Sequence, residues 1–195
     1  MDIFEHLSLI PFLILGMGIV RLLEGMGKII HIQNHNSKII KLYWVHGVLV
    51  SIVCISIVLF WWNSFDFNTT GRTPKDAWHI VEYTLYLLPC LVLYLLTELS
   101  VPRDLNALEA FDFRDYYYAN HREIYLLCTV HALLLTMHSY VFFNHPLGSL
   151  PTLLHISVAA VTLPMVIWGN RWIHGLLVLA YFALALATFP TYLTL

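Results

Sequence analysis

Residues 42–62 read LYWVHGVLVSIVCISIVLFWW and contain no aspartate, glutamate, lysine or arginine. An α-helix needs about 20 mostly apolar residues to cross the hydrocarbon core of a bilayer. Together with five similar stretches, this segment gives six predicted spans, at approximately residues 3–23, 42–62, 77–99, 124–143, 147–168 and 172–193. The sequence therefore predicts an all-α fold, a polytopic membrane helix bundle that forms a single domain.

The overall composition also indicates a lipid environment. Hydrophobic residues make up 59% of the 195 residues and charged residues only 11%, whereas a soluble domain carries about 25% charged residues. This excludes an ordinary soluble enzyme and makes the lipid bilayer the first expected partner. With ten Lys+Arg residues and a net charge of −2, the chain has no large basic surface for nucleic acid. Cys54, Cys90 and Cys128 lie in apolar stretches, so we expect neither disulfides nor a zinc–cysteine site.

Basic residues are distributed unevenly between alternate loops of the predicted bundle. Only Arg72 and Lys75 lie on one side, and the other side holds Arg21, Lys28, Lys38, Lys41, Arg103, Arg114, Arg122 and Arg171. By the positive-inside rule, the base-rich segments are cytoplasmic and both termini are outside. One cytoplasmic loop, residues 103–123, is long, but it is too small for a soluble catalytic domain. Any activity must therefore use helix side chains, and we expect a protein that is not an enzyme.

A short internal match joins the second and sixth predicted spans. Residues 44–50 read WVHGVLV and residues 172–178 read WIHGLLV. This match suggests a repeat of helical hairpins and places His46 and His174 at equal depth near the cytoplasmic interface. Two interpretations are open: a belt of interfacial residues, or a pair of imidazoles that ligate a b-type haem or carry protons.

Ionisable side chains within spans are costly, so they are candidates for function. The candidates for an ion or proton pathway are Arg21, Glu24, Glu82, Glu98, His131, His138 and His155. Near the predicted outer ends, a second set matches a carboxylate–histidine site for zinc or iron in ligand type; its members are His79, Glu82, His138 and His155. In the alternative interpretation, these histidines are structural and each bonds to a backbone carbonyl.

Several short segments carry a family resemblance, namely Arg21-Leu-Leu with Gly25, Tyr43-Trp44-Val-His46, Phe60-Trp61-Trp62, residues 87–95, and Asp112-Phe-Arg114 with Tyr117. Through them the chain resembles a family of uncharacterised six-span bacterial inner-membrane proteins. The resemblance implies a location in the bacterial inner membrane and a six-span fold. Because that family has no assigned activity, the resemblance implies no mechanism.

Three functions are compatible with these observations. The first, our working hypothesis, is an oligomeric channel or transporter-like protein that moves protons or small cations along intramembrane histidines and glutamates, since imidazole titrates near neutral pH. It needs no resident cofactor. The second is a membrane redox protein with one b-type haem or a metal ion. The third is a structural or sensing subunit whose protein partner binds residues 103–123.

Overall fold

The computed structural model describes residues 3–35, 39–69, 79–103 and 110–192. Within these ranges the elements are, in chain order, α1 (Ile3–His35), β1 (Ile39–Lys41), α2 (Trp44–Thr69), α3 (Ile80–Ser100), β2 (Ala110–Asp112), α4 (Phe113–Phe143), α5 (Leu150–Ile167), α6 (Arg171–Ala187) and α7 (Phe189–Tyr192). The predicted all-α bundle is confirmed, with the addition of two three-residue strands. In the described part of the chain, α1 to α5 are long and apolar enough to cross a membrane, and α6 is apolar but shorter, at 17 residues.

Two helices differ clearly from the predicted spans. Helix α1 continues to His35, and α4 begins at Phe113, inside the segment predicted as the loop 103–123. The Asp112 side chain accepts a hydrogen bond from the Arg114 backbone N–H at 2.8 Å, which is the usual way in which an aspartate begins a helix. The described part of the predicted loop is therefore mostly helix, and residues 104–109 lie outside the described residues.

Some of the predicted features also lie outside the described residues. These are the loop bases Lys38, Arg72 and Lys75, residues 77–78 at the start of the predicted third span, and residue 193 at the end of the sixth.

The helices form a closed circuit of neighbours. Helix α1 packs on α3, α3 on α4, α4 on α5, α5 on α6, α6 on α2, and α2 back on α1, while α2 also contacts α3 and α4. The core between them contains fully buried apolar side chains such as Leu49, Leu93 and Cys128. The outer surface is apolar as well, with Leu13 67%, Val81 74% and Leu176 70% exposed. Such extensive exposed apolar surface is typical of contact with a bilayer, so the bundle is that of a multi-pass membrane protein.

Two glycines allow α1 and α3 to approach closely. A Cβ atom on Gly18 would lie 3.3 Å from Cγ2 of Thr97, and one on Gly25 would overlap the Val101 side chain. Small residues commonly allow such close contacts between membrane helices. Gly18 and Gly25 therefore lie at a close contact between α1 and the α3 segment.

The two short strands position the helices that follow them. Strand β1 pairs in parallel with β2, with Ile39 opposite Ala110 and Lys41 opposite Asp112. Because β1 leads into α2 and β2 leads into α4, this pairing brings the N-terminal ends of both helices to the same end of the bundle.

Candidate functional site

The two Trp-His-Gly segments lie side by side at that end of the bundle. A Cβ atom on Gly175 of α6 would lie 3.3 Å from Cζ2 of Trp44 of α2. The ring of Tyr117 of α4 contacts both imidazoles, with centroid distances of 6.2 Å to His46 and 5.5 Å to His174. Three helices thus contribute to one buried cluster, in which Tyr117 is the common neighbour of the two histidines.

A chain of hydrogen bonds passes through His174. Its Nε2 bonds to the backbone carbonyl of Trp168, its Nδ1 lies 2.7 Å from the Tyr117 hydroxyl, and that hydroxyl lies 2.8 Å from the Tyr125 hydroxyl. A carbonyl only accepts, so Nε2 must donate. In a neutral imidazole Nδ1 then accepts from Tyr117, and the Tyr117 oxygen accepts from Tyr125. The three side chains are buried. Because Nε2 donates to the carbonyl of Trp168, the directions of the other two hydrogen bonds are fixed when the ring is neutral.

The same chain has a second arrangement. When His174 carries a hydrogen on both ring nitrogens, Nδ1 donates to the Tyr117 oxygen, and the Tyr117 hydroxyl is then free to donate to Tyr125. Adding one proton to His174 therefore allows both hydroxyl groups to reverse, which is what transfer of a proton along such a chain requires.

His46 has a simpler environment. Its Nε2 donates to the carbonyl of Ser100 at 2.9 Å, while its buried Nδ1 has no hydrogen-bond partner among the described residues. The rings of Phe113 and Tyr116 lie beside it, at centroid distances of 5.1 and 5.9 Å. Ligation of a haem iron by His174 would have to break one of the two hydrogen bonds of its ring.

Tyr181 of α6 is the next buried polar residue towards the middle of the bundle. It is an electrostatic neighbour of Tyr125, and its hydroxyl interacts with the side chains of Cys128 of α4 and Ser56 of α2. Nearby, the hydroxyls of Thr129 and Thr162 lie 2.8 Å apart and join α4 to α5. The polar groups that lie between the histidine cluster and the middle of the bundle therefore come from α2, α4, α5 and α6.

A cavity of about 50 Å³ lies among these four helices. His131 and His155 line it and are 4% and 6% exposed. Within the described chain, Nε2 of His131 is buried without a hydrogen-bond partner. The other polar residues that line the cavity are Ser56, Asn63, Tyr181 and Thr188. Two of the histidines predicted for an ion or proton pathway thus face one internal space.

His138 lies outside this cavity, on the same face of α4 as His131. His155 interacts electrostatically with both His131 and His138. The His138 ring packs on Tyr86 at a centroid distance of 5.9 Å and on Phe142 at 4.7 Å. The structure therefore brings the three intramembrane histidines of α4 and α5 close to one another.

The predicted outer metal ligands have separate environments. The carboxylate of Glu82 accepts from the backbone N–H of His79 at 3.4 Å, at the start of α3, while His138 and His155 lie deeper in the bundle. Among the residues that the structure describes, no group of three or more His, Cys, Asp or Glu side chains is arranged to hold a metal ion.

The remaining charged candidates lie away from the cavity and stabilise helix contacts. Arg21 of α1 donates to the Val101 carbonyl at 2.8 Å and lies 3.5 Å from Glu98 of α3. Arg103 also donates to Glu98, at 3.0 Å. Glu24 forms an exposed pair with Lys28 at 2.6 Å, one turn along α1. Arg21 thus pairs across two helices and not with Glu24, its neighbour in sequence.

Tyr117, Tyr125 and Tyr181 were not among the residues predicted from the sequence. A signal for the first two exists, because Tyr117, His121 and Tyr125 recur every four residues and therefore lie on one face of a helix. That pattern extends from the predicted loop into the predicted fourth span. No local pattern indicates that Tyr181 belongs to the same cluster.

Compared with protein-family models, with curated proteins and with solved structures, the chain matches none of them. The resemblance to bacterial six-span proteins thus has no family match to support it. The coarser statement, a helical bundle of the membrane type, is supported by the apolar helices of the structure.

Proposed function

We propose that the protein conducts protons across a membrane along a polar track inside the bundle. The polar track is the set of residues His174, Tyr117, Tyr125, Tyr181, Ser56, His131, His155 and His138, all of which are buried except the half-buried Ser56. The observation that carries the proposal is the hydrogen-bonded chain from His174 through Tyr117 to Tyr125, which leads through Tyr181 to a cavity lined by two histidines. Hydroxyl and imidazole groups can each accept and donate a hydrogen, so protons can pass between them.

The chemistry of the cavity favours protons over small metal cations. The described residues that line it include no aspartate, glutamate, lysine or arginine. A metal cation would lose its hydration shell there without a compensating charge, which is costly in a low-dielectric interior. A proton needs only a change in which oxygen or nitrogen atom carries the hydrogen.

The polar track is long enough to cross a bilayer. Tyr117 and His138 both lie on α4, separated by 21 positions (117 to 138). At a rise of about 1.5 Å per residue this is about 32 Å, and the hydrocarbon core is about 30 Å thick. The length of the polar track along α4 thus matches the thickness of the hydrocarbon core, and the proposed conduction needs no second subunit.

We infer the orientation of the bundle in the membrane from its basic residues. In the proposed orientation, six helices span the inner membrane of a bacterium, both termini are outside, and the end with His174 and Tyr117 faces the cytoplasm. Arg103, Arg114 and Arg171 lie at or near this end, in agreement with the positive-inside rule. Protons driven by the membrane potential would then enter at His138 and leave near His174.

Proton flux into vesicles tests this proposal. The purified full-length protein is reconstituted with a pH-sensitive dye inside, and a potassium gradient with valinomycin sets the membrane potential. We expect the wild-type protein to acidify the vesicles faster than empty vesicles do, and His131→Leu to abolish the difference. Because Nε2 of His131 has no hydrogen-bond partner among the described residues, this substitution should leave folding intact.

Met137→Leu is the matched control, because Met137 lies on the same helix and is 52% exposed on the outer surface. We expect its flux to equal that of the wild type. Wild-type vesicles that acidify no faster than empty vesicles at either polarity would overturn the proposal. A folded His131→Leu variant with wild-type flux would remove His131 from the pathway.

A further inference from the structure

The cavity among α2, α4, α5 and α6 has the size of a small hydration site. Its volume is about 50 Å³, whereas one buried water needs about 10–15 Å³. The cavity therefore has room for a few water molecules.

The lining supplies the hydrogen-bonding groups that bound water requires. Asn63 and Ser56 come from α2, Tyr181 from α6 and His131 from α4. His131 is 96% buried, since it is 4% exposed, and its Nε2 has no partner among the described residues. Stable empty cavities are apolar, whereas a buried water makes two to four hydrogen bonds to groups of this kind.

We propose that this cavity binds a cluster of water molecules that connects Ser56 and Tyr181 with Nε2 of His131. The inference that the cavity is hydrated stands on the geometry alone. That the cluster carries protons rests on the proposed function. In the tautomer with no hydrogen on Nε2, a hydronium ion in the cluster transfers one proton to Nε2 and becomes water, while the ring becomes an imidazolium. The reverse transfer returns the proton to the cluster.

Hydration can be measured without any flux. In the full-length protein with ¹⁵N-labelled histidine in bilayers, solid-state NMR follows polarisation transfer from water protons to each ring nitrogen. His131→Gln identifies the His131 signals by their loss. We expect rapid transfer to His131 and slow transfer to His174, which is buried and has both nitrogens bonded within the protein. Transfer to His131 as slow as to His174 would show a dry cavity and overturn the inference.

Filling the cavity tests what the water does. Ala185 lines the cavity and is 7% exposed, so Ala185→Leu should expel the water, slow the transfer to His131 and stop proton flux. Ala185→Val is the smaller replacement to use if the leucine variant does not fold. Ala183→Leu, on the exposed face of the same helix, is the matched control and should keep wild-type transfer and flux.

The outcomes separate the inference from the proposed function. If a folded Ala185→Leu or Ala185→Val variant loses water contact but conducts like the wild type, the water cluster is not part of the pathway, although the proposed function survives. If the wild type shows no flux, the proposed function fails, and the NMR comparison alone decides whether the cavity is hydrated.

Discussion

Tyr117 is a fully buried residue whose single hydroxyl connects two hydrogen bonds. It lies 2.7 Å from Nδ1 of His174 on α6 and 2.8 Å from the Tyr125 hydroxyl on its own helix. Its ring also packs against His46 and Tyr43 of the chain segment that begins α2. One side chain thereby joins α4 to both neighbouring helix ends, and its hydroxyl determines the direction of the hydrogen-bond chain.

Tyr117→Phe should destabilise the protein although the ring remains. The change leaves Nδ1 of His174 and the hydroxyl of Tyr125 buried without their partner, and each such group costs about 1–3 kcal/mol. We expect a lower melting temperature in detergent, measured with a thiol-reactive dye that reports exposure of the buried Cys90 and Cys128. Tyr140→Phe, at a position 57% exposed on the same helix, should not change it. An unchanged melting temperature for Tyr117→Phe would show that the hydrogen bonds do not stabilise the fold.

At the scale of elements, the packing of α1 on α3 depends on the absence of a side chain at Gly25. A Cβ atom there would overlap Val101, whereas one on Gly27 would meet nothing within 4 Å. The same close contact places Arg21 of α1 beside Glu98 of α3. The close approach of the α1 and α3 backbones and the Arg21–Glu98 ion pair therefore both depend on Gly25.

Gly25→Ala should separate α1 from α3 and lower the melting temperature, since the added methyl group has no space. Gly27→Ala is a control two residues away on the same helix, and it should leave the melting temperature unchanged or raise it slightly, because alanine favours helix by about 1 kcal/mol over glycine. Thermal denaturation of both variants in the same detergent makes the comparison. Equal melting temperatures would contradict the close packing described for Gly25.

At the scale of the whole molecule, the proposed orientation in the membrane rests on the charge distribution. Gly148 lies between α4 and α5 and Gly169 between α5 and α6, so the two lie at opposite ends of α5. A side chain at either position would meet nothing within 4 Å. Both positions therefore accept a cysteine without disturbing the packing.

A membrane-impermeant maleimide applied to intact cells should label Gly148→Cys and should not label Gly169→Cys until the membrane is permeabilised. This follows from the proposed orientation, in which the base-rich ends are cytoplasmic. The wild-type chain is the control for its three native cysteines, of which Cys54 is partly buried and Cys90 and Cys128 are buried. The reverse labelling pattern would place His174 and Tyr117 at the outer face and invert the proposed direction of proton flow.

The existence and type of the helices could be predicted from local sequence. Hydropathy and span length depend only on neighbouring residues, and α3 and α5 begin and end within a few residues of the predicted spans. The close contact of α1 at Gly18 and Gly25 was also predictable, because a helix face with no side chain allows another helix to approach. The start of α4 at Phe113 was not predicted, because Asp112, Arg114 and Asp115 interrupt the apolar stretch on which the span was based. Tertiary packing of Tyr117 and Phe113 buries them and stabilises the helix.

The sequence by itself determined the all-α, apolar character of the chain and the position of several histidines within its apolar helices. Only the tertiary structure decided which of these residues meet. Arg21 pairs with Glu98, 77 positions away, Tyr117 contacts both His46 and His174, and His131 and His155 share a cavity with Tyr181. Span formation depends on the free energy of burying a continuous segment in lipid, which is local. The choice of partner depends on how six helix surfaces fit together, and that is a property of the whole bundle.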